Sequence, residues 1–290
     1  MKASIGVIGL GIMGSAMAAN LAKAGFRVYG YDVLPERRAA LKKAKGVPVR
    51  CAAEVARNAR VMITSLPGAD ALHAVAGEIG ARGGVVMETS TLPIDEKVRA
   101  RLVLARKGIT LLDCPLSGTG AQARAKDLVV YASGDKRAFA KATPYLKGFS
   151  RAHYYVGEFG NGSKMKFVAN LMVAIHNVSA AEAFALGMKA GLAPKDLYEV
   201  QANSAGASRM FQVRGPMMVA GKYRPATMSN ALWQKDMKII GEFAAKLGVP
   251  TPLFNASAAV YAAAMSLGFA EEDTGAVCAV MENLSGLPRR

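Results

Sequence analysis

The sequence predicts an α/β protein: a Gly-rich, mostly parallel sheet domain, then an all-helical domain reached through one long central helix. Three observations predict it. Short β-branched runs alternate with helical patterns up to about Val156, a glycine-rich turn joins the first run to the first helix, and beyond residues 157–162 nearly every segment is helical in period. With 52% apolar and 20% charged residues, the 290-residue chain has the composition of one or two packed domains rather than of a disordered or fibrous chain.

In chain order, strands are predicted over residues 5–8, 27–31, 61–65, 85–88, 109–113 and 128–132. Leu66-Pro67-Gly68, Gly83-Gly84 and Ser133-Gly134 supply turns between them. Strands alternating with helices imply βαβ units and a parallel sheet. The long helix covers residues 163–190, about 40 Å at helical rise. Phe167, Val168, Leu171, Met172, Ile175, Phe184 and Leu186 fall on different faces of it, which predicts burial on several sides. Further helices are predicted over 194–203, 208–219, 230–247, 252–267 and 272–284. The domain boundary therefore falls at Gly162, giving domains 1–162 and 163–290.

Lys and Arg exceed Asp and Glu by 37 to 21, a net charge of +16. That excess points to anionic partners: nucleic acid, a membrane surface or small anions. Cys51, Cys114 and Cys278 are odd in number and far apart, so neither a disulfide framework nor a zinc site is expected, and a reducing cytoplasm fits. His73, His153 and His176 are too scattered for a local metal cluster; His176 reads as a core residue. Residues 3–22 and 247–270 carry no charge and reach membrane-spanning length. The first begins after Met1-Lys2 like a leader peptide, but glycines interrupt it. The second contains Pro250 and Pro252 and reads as a buried helix with its start signal.

Gly9-Leu10-Gly11-Ile12-Met13-Gly14 is G-x-G-x-x-G between a strand and a helix, and Asp32 ends the next strand 18 residues (32 − 14) after the last glycine. This is the fingerprint of a Rossmann-type dinucleotide site. Gly9 permits the tight turn, Gly11 the close approach of a pyrophosphate and Gly14 close helix–strand packing, with the helix N-terminus, through Ile12 and Met13, facing the phosphates. Asp32 accepts the adenosine ribose hydroxyls and favours NAD. Arg37 and Arg38 nearby leave NADP open.

Other signatures fail. Ser163-Lys164-Met165-Lys166 matches S-x-x-K without its K-T-G or S-D-N partners, residues 157–164 lack the Gly-Lys-Ser/Thr order of a phosphate loop, and neither Tyr-x-x-x-Lys nor G-x-S-x-G occurs.

The remaining motifs resemble the β-hydroxyacid dehydrogenase family, to which 3-hydroxyisobutyrate dehydrogenase belongs, over nearly the whole chain. Gly9-Leu10-Gly11-Ile12-Met13-Gly14 is similar to the family's G-L-G-x-M-G, Leu66-Pro67 to its M-L-P turn, and Ser90-Thr91 with Pro93 to its later Ser/Thr-Pro turn. Asp113-Cys114-Pro115-Leu116-Ser117-Gly118-Thr119 resembles the substrate signature D-A-P-V-S-G-G. Gly157-x-x-Gly160-x-Gly162-x-x-Met165-Lys166-x-x-x-Asn170 resembles the catalytic signature, and Lys235-Asp236-Met237 the K-D-L element. Residues 203–211 are similar to the threonate dehydrogenase branch. The resemblance implies a Rossmann domain followed by a helical one, Leu66, Pro67 and Thr91 bordering the cofactor, Lys235 closing over it and the substrate, and a homodimer or homotetramer. Thr119, Gln122, Lys126 and Ala169 depart from the family pattern.

Lys166 and Asn170 stand four apart on a predicted helix, on one face. The expected chemistry is hydride transfer between nicotinamide and a small hydroxy acid or its aldehyde or keto counterpart, with Lys166 as general acid/base and Asn170 orienting the reacting oxygen. A lysine, ordinarily at ~10.4, needs burial or neighbouring positive charge to serve as a neutral base; the apolar helix, Lys164 and oxidised nicotinamide are the candidates. Amides and hydroxyls of Ser117, Gly118 and Thr119 form a nest for the substrate carboxylate, and Asp113 caps or anchors that turn. The expected enzyme is cytoplasmic, takes a small anionic carboxylate and engages neither nucleic acid nor membrane. The alternative is a non-catalytic dinucleotide-binding or nucleic-acid-associated module of the same fold, which predicts loss of the lysine.

Overall fold

The computed structural model describes residues 3–80 and 83–287; Met1-Lys2, the basic start of the leader-like stretch, lies outside them. By contact the chain divides into two compact units, Met1–Lys166 and Phe167–Arg290, the division falling inside the long helix.

The first unit is built on six parallel strands in the order β3-β2-β1-β4-β5-β6, the dinucleotide-fold order. They are β1 (Ser4–Ile8), β2 (Arg27–Tyr31), β3 (Val47–Pro48), β4 (Val61–Thr64), β5 (Gly84–Glu88) and β6 (Ile109–Asp113), linked by α1 (Ile12–Lys23), α2 (Pro35–Lys43), α3 (Ala52–Asn58), α4 (Ala69–Glu78) and α5 (Ile94–Ala105). Helices cover both faces, so the strands are apolar almost throughout and side-chain alternation sorts them between two cores. Ile5, Val7, Val61, Ile63, Val85 and Met87 join one, with Met17 and Leu21 of α1. Met62 and Val86 join the other, with Val55, Leu72, Ala100 and Leu104.

A second, three-stranded sheet follows: β7 (Leu116–Ser117) antiparallel to β8 (Val129–Ala132), and β8 parallel to β9 (Ala152–Tyr155), with α6 (Gly120–Arg124) and α7 (Lys136–Phe149) between them. The strand expected over 128–132 thus sits in this small sheet rather than in the parallel one. Pro115 is the reason: it has no N–H to continue the ladder after β6, and its carbonyl instead accepts from Tyr131 N at 3.1 Å. Asp113 and Ser133 form the single bridge that ties β6 to the end of β8.

The long helix α8 (Asn161–Lys189) starts two residues before its predicted onset. Among the described residues it alone is long and apolar enough to cross a bilayer, yet Phe167, Ala174, Val178, Ala181 and Phe184 pack inside the protein as in a core helix. The expectation of burial on several sides is corrected: Val168, Met172 and Leu186 are exposed, because one chain supplies neighbours for only part of the helix surface. The other uncharged stretches contain helices of 12 and 15 residues, too short to span.

The second unit adds α9 (Pro194–Gln201), α10 (Arg209–Ala220), α11 (Asn230–Lys246), α12 (Pro252–Ser266), a 3₁₀ turn (Thr274–Ala276) and α13 (Val277–Leu284). The helix expected from 272 is split because Asp273 is spent on capping. Its Oδ1 accepts from Arg214 Nε at 2.8 Å and Gly275 N at 3.0 Å, and its Oδ2 from Thr227 N at 2.8 Å and Thr227 Oγ1 at 2.6 Å. Burial opposes ionisation of Asp273, but Arg214 and these hydrogen bonds outweigh it and hold the carboxyl below the ordinary aspartate range. A depressed carboxyl stabilises the fold fully above its unfolded pKa of ~3.9 and loses that contribution as pH falls through the lower native value. Replacing Asp273 with Ala should lower stability at neutral pH by about 3 kcal/mol and flatten the curve below about pH 4, as read by denaturant titration across pH.

Candidate active site

The glycine-rich turn leaves β1 in a conformation that excludes side chains. Gly9 has φ +89°, a Cβ on it would overlap Ser65 O, and a Cβ on Gly14 would overlap Gly9 O. Gly11 caps α1 in an extended conformation with no side-chain cap, so the helix presents its first N–H groups, from Ile12 onward, without helical partners. That is the arrangement that binds pyrophosphate. Gly14 is buried, Ile12 is exposed and Met13 lies half-buried between them.

Asp32, 5% exposed at the end of β2, holds this turn from behind. Its Oδ2 accepts from Leu10 N at 2.7 Å, its Oδ1 from Leu34 N at 2.9 Å, and Arg37 Nη1 lies 3.3 Å from Oδ2. Oδ2 is thereby doubly engaged, by Leu10 N and Arg37, whereas Oδ1 keeps a second lone pair for a ribose hydroxyl. Leu66 N donates to Ser90 Oγ at 2.8 Å, which fastens the Leu66-Pro67 turn to the Ser90-Thr91 turn at the same edge of the sheet. These residues fit a bound dinucleotide: glycines where phosphates approach, helix N–H groups facing them and a carboxylate at the ribose position.

The Ser117-Gly118-Thr119 loop belongs to the same edge. A Cβ on Gly120 would lie 2.5 Å from Ile12 Cγ2, and Asn20 Nδ2 of α1 donates to Ala123 O at 2.8 Å. Thr119 is the N-cap of α6: it accepts from Gln122 N, and Gln122 Oε1 accepts from Thr119 N at 2.9 Å. Two departures from the family pattern, Thr119 and Gln122, therefore form one reciprocal capping box. The Thr119 amide is taken up by that box, and Ser117 is paired with Val129 in the small sheet. Lys126, at a third glycine position, has φ +60°, a conformation glycine adopts more readily.

Behind this edge lies a cluster that motif reading does not single out. Lys97, Glu88 and Asp113 are all fully buried. Lys97 Nζ lies 2.7 Å from Glu88 Oε2, 2.8 Å from Asp113 Oδ1 and 2.7 Å from Ser90 O. Glu88 Oε2 has no hydrogen bond of good geometry, so its attraction to Lys97 is that of an ion pair. Burial works to discharge Lys97, but Asp113 and Glu88 outweigh it and keep the ammonium charged above the ordinary lysine range. The available signal was position: Lys97 shares the buried stripe of α5 with Ala100 and Leu104. Burial pushes the adjacent Cys114 thiol well up, which removes it as a nucleophile.

Lys166 and Asn170 both lie on α8, four residues apart, Lys166 half-buried and Asn170 buried. Asn170 Nδ2 donates to Asp236 Oδ2 at 3.0 Å, and Lys235 Nζ pairs with Asp236 Oδ1 at 3.2 Å. Asp236, 4% exposed, thus holds two predicted site residues at once. Its partner on α8 is 66 residues away in sequence, beyond the reach of local reading.

Sheet order, phosphate turn and helical second unit together define a nicotinamide-dinucleotide oxidoreductase. Comparison with known proteins agrees. Residues 4–157 match the model of the NAD-binding domain of 6-phosphogluconate dehydrogenase, and residues 160–281 that of the NAD-binding domain of NADP-dependent 3-hydroxyisobutyrate dehydrogenase. The chain is 33% identical to an L-threonate dehydrogenase of Cupriavidus necator, over 98% of each chain. Among solved structures it is similar to a 3-hydroxyisobutyrate dehydrogenase from Salmonella typhimurium, with TM-score 0.87, 28% identity and coverage of 96% and 100%. It is similar as well to the Mycobacterium tuberculosis 3-hydroxyisobutyrate dehydrogenase solved with L-serine, with TM-score 0.86, 27% identity and coverage of 97% and 99%. The chain belongs to the 3-hydroxyisobutyrate dehydrogenase family of β-hydroxyacid dehydrogenases, and is an NAD(P)-dependent hydroxyacid dehydrogenase.

If Asp32 accepts from the ribose, Asp32→Ala weakens NAD binding by about tenfold, the worth of one charge-assisted hydrogen bond, and narrows the gap between NAD and NADP. Titration of both dinucleotides by intrinsic fluorescence checks this.

Proposed function

We propose that the chain oxidises a small polar hydroxy acid of the four-carbon sugar-acid class, with L-threonate the first candidate, and that Lys166 is its general acid/base. The observation that carries the reading is the Lys166–Asn170 pair on one face of α8, with the Asn170 amide oriented by Asp236. The threonate-like stretch at 203–211 and the identity to an L-threonate dehydrogenase over the whole chain support the substrate class.

Bound NAD supplies the hydride acceptor. Lys166 takes the hydroxyl proton as the carbinol hydrogen leaves with its electron pair, so the C–O single bond becomes a carbonyl; in the reverse direction Lys166 returns the proton. Asn170 commits one N–H to Asp236 and keeps its other N–H and its Oδ1 for the reacting oxygen. Ser117 and Gly118 receive the carboxylate, with the Thr119 hydroxyl beside them, while Lys235 and Thr91 border substrate and cofactor. The net charge of +16 favours encounter with both anions.

The protein works in the cytoplasm, without nucleic acid or membrane partners, as a homodimer or homotetramer. Three free cysteines, two of them buried, suit a reducing compartment. The exposed Val168, Met172 and Leu186 on α8 give a second copy an apolar stripe to cover.

A panel of hydroxy acids and semialdehydes with NAD and NADP, read at the nicotinamide absorbance, should show oxidation of L-threonate or a close analogue; silence across the panel overturns the reading. Lys166→Ala should lower kcat by about 10²–10⁴ while the Kd for NAD stays unchanged. Near-wild-type turnover removes Lys166 from the mechanism.

A further inference from the structure

We infer that Asp113 is a positioning residue for the reaction: it and Ser133 cap the first turn of α8 and so set where Lys166 stands. The inference rests on the proposed role of Lys166.

The first N–H groups of a helix have no partner within it, and a buried helix start must find them elsewhere. Here two facing side chains supply them. Asp113 and Ser133 pair as a bridge, with Asp113 N donating to Ser133 O at 3.0 Å and Ser133 N to Asp113 O at 2.8 Å. From that bridge Ser133 Oγ accepts Gly162 N at 3.0 Å, and Asp113 Oδ2 accepts Ser163 N at 2.7 Å. Ser163 Oγ adds a bond to Asp113 Oδ1 at 2.8 Å. No side chain fits between helix and bridge at Gly162, where a Cβ would overlap Tyr131 O and lie 2.7 Å from Asp113 O. In an α-helix the Lys166 N–H bonds to the carbonyl four residues back, that of Gly162. The backbone that carries Lys166 is therefore pinned, one turn upstream, by three hydrogen bonds to two buried side chains.

Lys97 extends the device to the cofactor side. It holds Asp113 Oδ1 and, with the same ammonium, the carbonyl of Ser90, whose hydroxyl holds the Leu66 turn. Burying an ammonium between two carboxylates costs desolvation that an apolar cluster of similar volume avoids. Apolar side chains could join β5, β6 and α5 as well, but they could not cap α8. The carboxylate is required where the helix begins, and Lys97 neutralises it there.

Positioning and mere stabilisation predict different results for two conservative variants of the full-length protein, Ser163→Ala and Ser133→Ala. Ser163→Ala removes the bond to Asp113 Oδ1, Ser133→Ala removes the acceptor of Gly162 N together with the hydroxyl's 3.3 Å bonds to Asp113, and neither touches a group placed at the substrate. With NAD and L-threonate, or the most active hydroxy acid of the panel, each variant should lower kcat about tenfold while KM and the Kd for NAD stay within about twofold. The solvent deuterium isotope effect on kcat should rise, because proton transfer to a displaced Lys166 becomes slower. In cofactor-free protein, acylation of Lys166 by a small anhydride, read by mass spectrometry, should change in rate while that of Lys235 does not. Wild-type kcat and isotope effect in both variants overturn the inference. So does a loss of kcat that only tracks lower melting temperature and weaker NAD binding, which marks the bonds as purely structural. If Lys166→Ala itself turns over normally, the proposed role of Lys166 fails; if Lys166→Ala is inactive and both serine variants are normal, the positioning role alone fails.

Discussion

Glu88 and Asp113 end neighbouring parallel strands, side by side, and the chain must keep both acids dry. Lys97 lies between them and pairs with both. Ser90 N donates to Glu88, and Ser163 N and Oγ donate to Asp113. The N-terminus of α8 brings the equivalent of about half a positive charge from its dipole. Strand ends, α5, the cofactor turns and the start of α8 are all held by this one electrostatic balance. Breaking such a cluster by removing one member leaves a buried charge uncompensated, a change of about 3–5 kcal/mol. The start of the long helix belongs to the first unit both by contact and by its hydrogen bonds.

Much of this fold was legible because local pattern and tertiary need coincide. The strands over 27–31 and 109–113 were read to the residue, and the glycine turn was read with its purpose, since only glycine fits φ +89° against Ser65 O. The two-residue strands at Val47–Pro48 and Leu116–Ser117 were not legible, because strands that short exist only through their partners. Ala152–Tyr155 escaped because its burial never alternates cleanly. Within the site, Lys166, Asn170, Lys235 and Asp236 stand in motifs, but the task of Asp236, like that of Lys97, lies in partners 66 and 16 residues distant. A lysine on the apolar stripe of α5 was the one available sign, and it is easily lost among 37 basic residues.

That basic excess has two physical meanings. Most of it is solvated: Arg50, Arg99 and Arg151 are largely exposed in their ion pairs, where screening leaves each pair worth at most about 1 kcal/mol. Such charges act at long range, raising the encounter rate of an anionic dinucleotide and an anionic acid. Lys97 and Arg214 are the opposite case, buried and matched to particular carboxylates, and they act on structure. The same residue types thus serve steering in one place and architecture in the other, and burial alone separates the two.

The capping box at Thr119 shows how a departure from family pattern can be internally consistent. Glycines in this loop would leave its backbone mobile and its amides open. Here Thr119 and Gln122 exchange hydrogen bonds, and Gln122 Nε2 continues to Asp127, which is paired to Arg151. The loop gives up one amide but gains a fixed direction for the Thr119 hydroxyl, whose proton is not used by the box because its oxygen is the acceptor there. A hydroxyl donor in a set position favours a substrate with an acceptor oxygen at the matching place. Any hydroxy acid offers such an oxygen in its carboxylate, beside which the Thr119 hydroxyl is proposed to stand. The two substitutions therefore act as a pair: the capping box that removes the Thr119 amide from the loop's donors also fixes the Thr119 side chain at the start of α6.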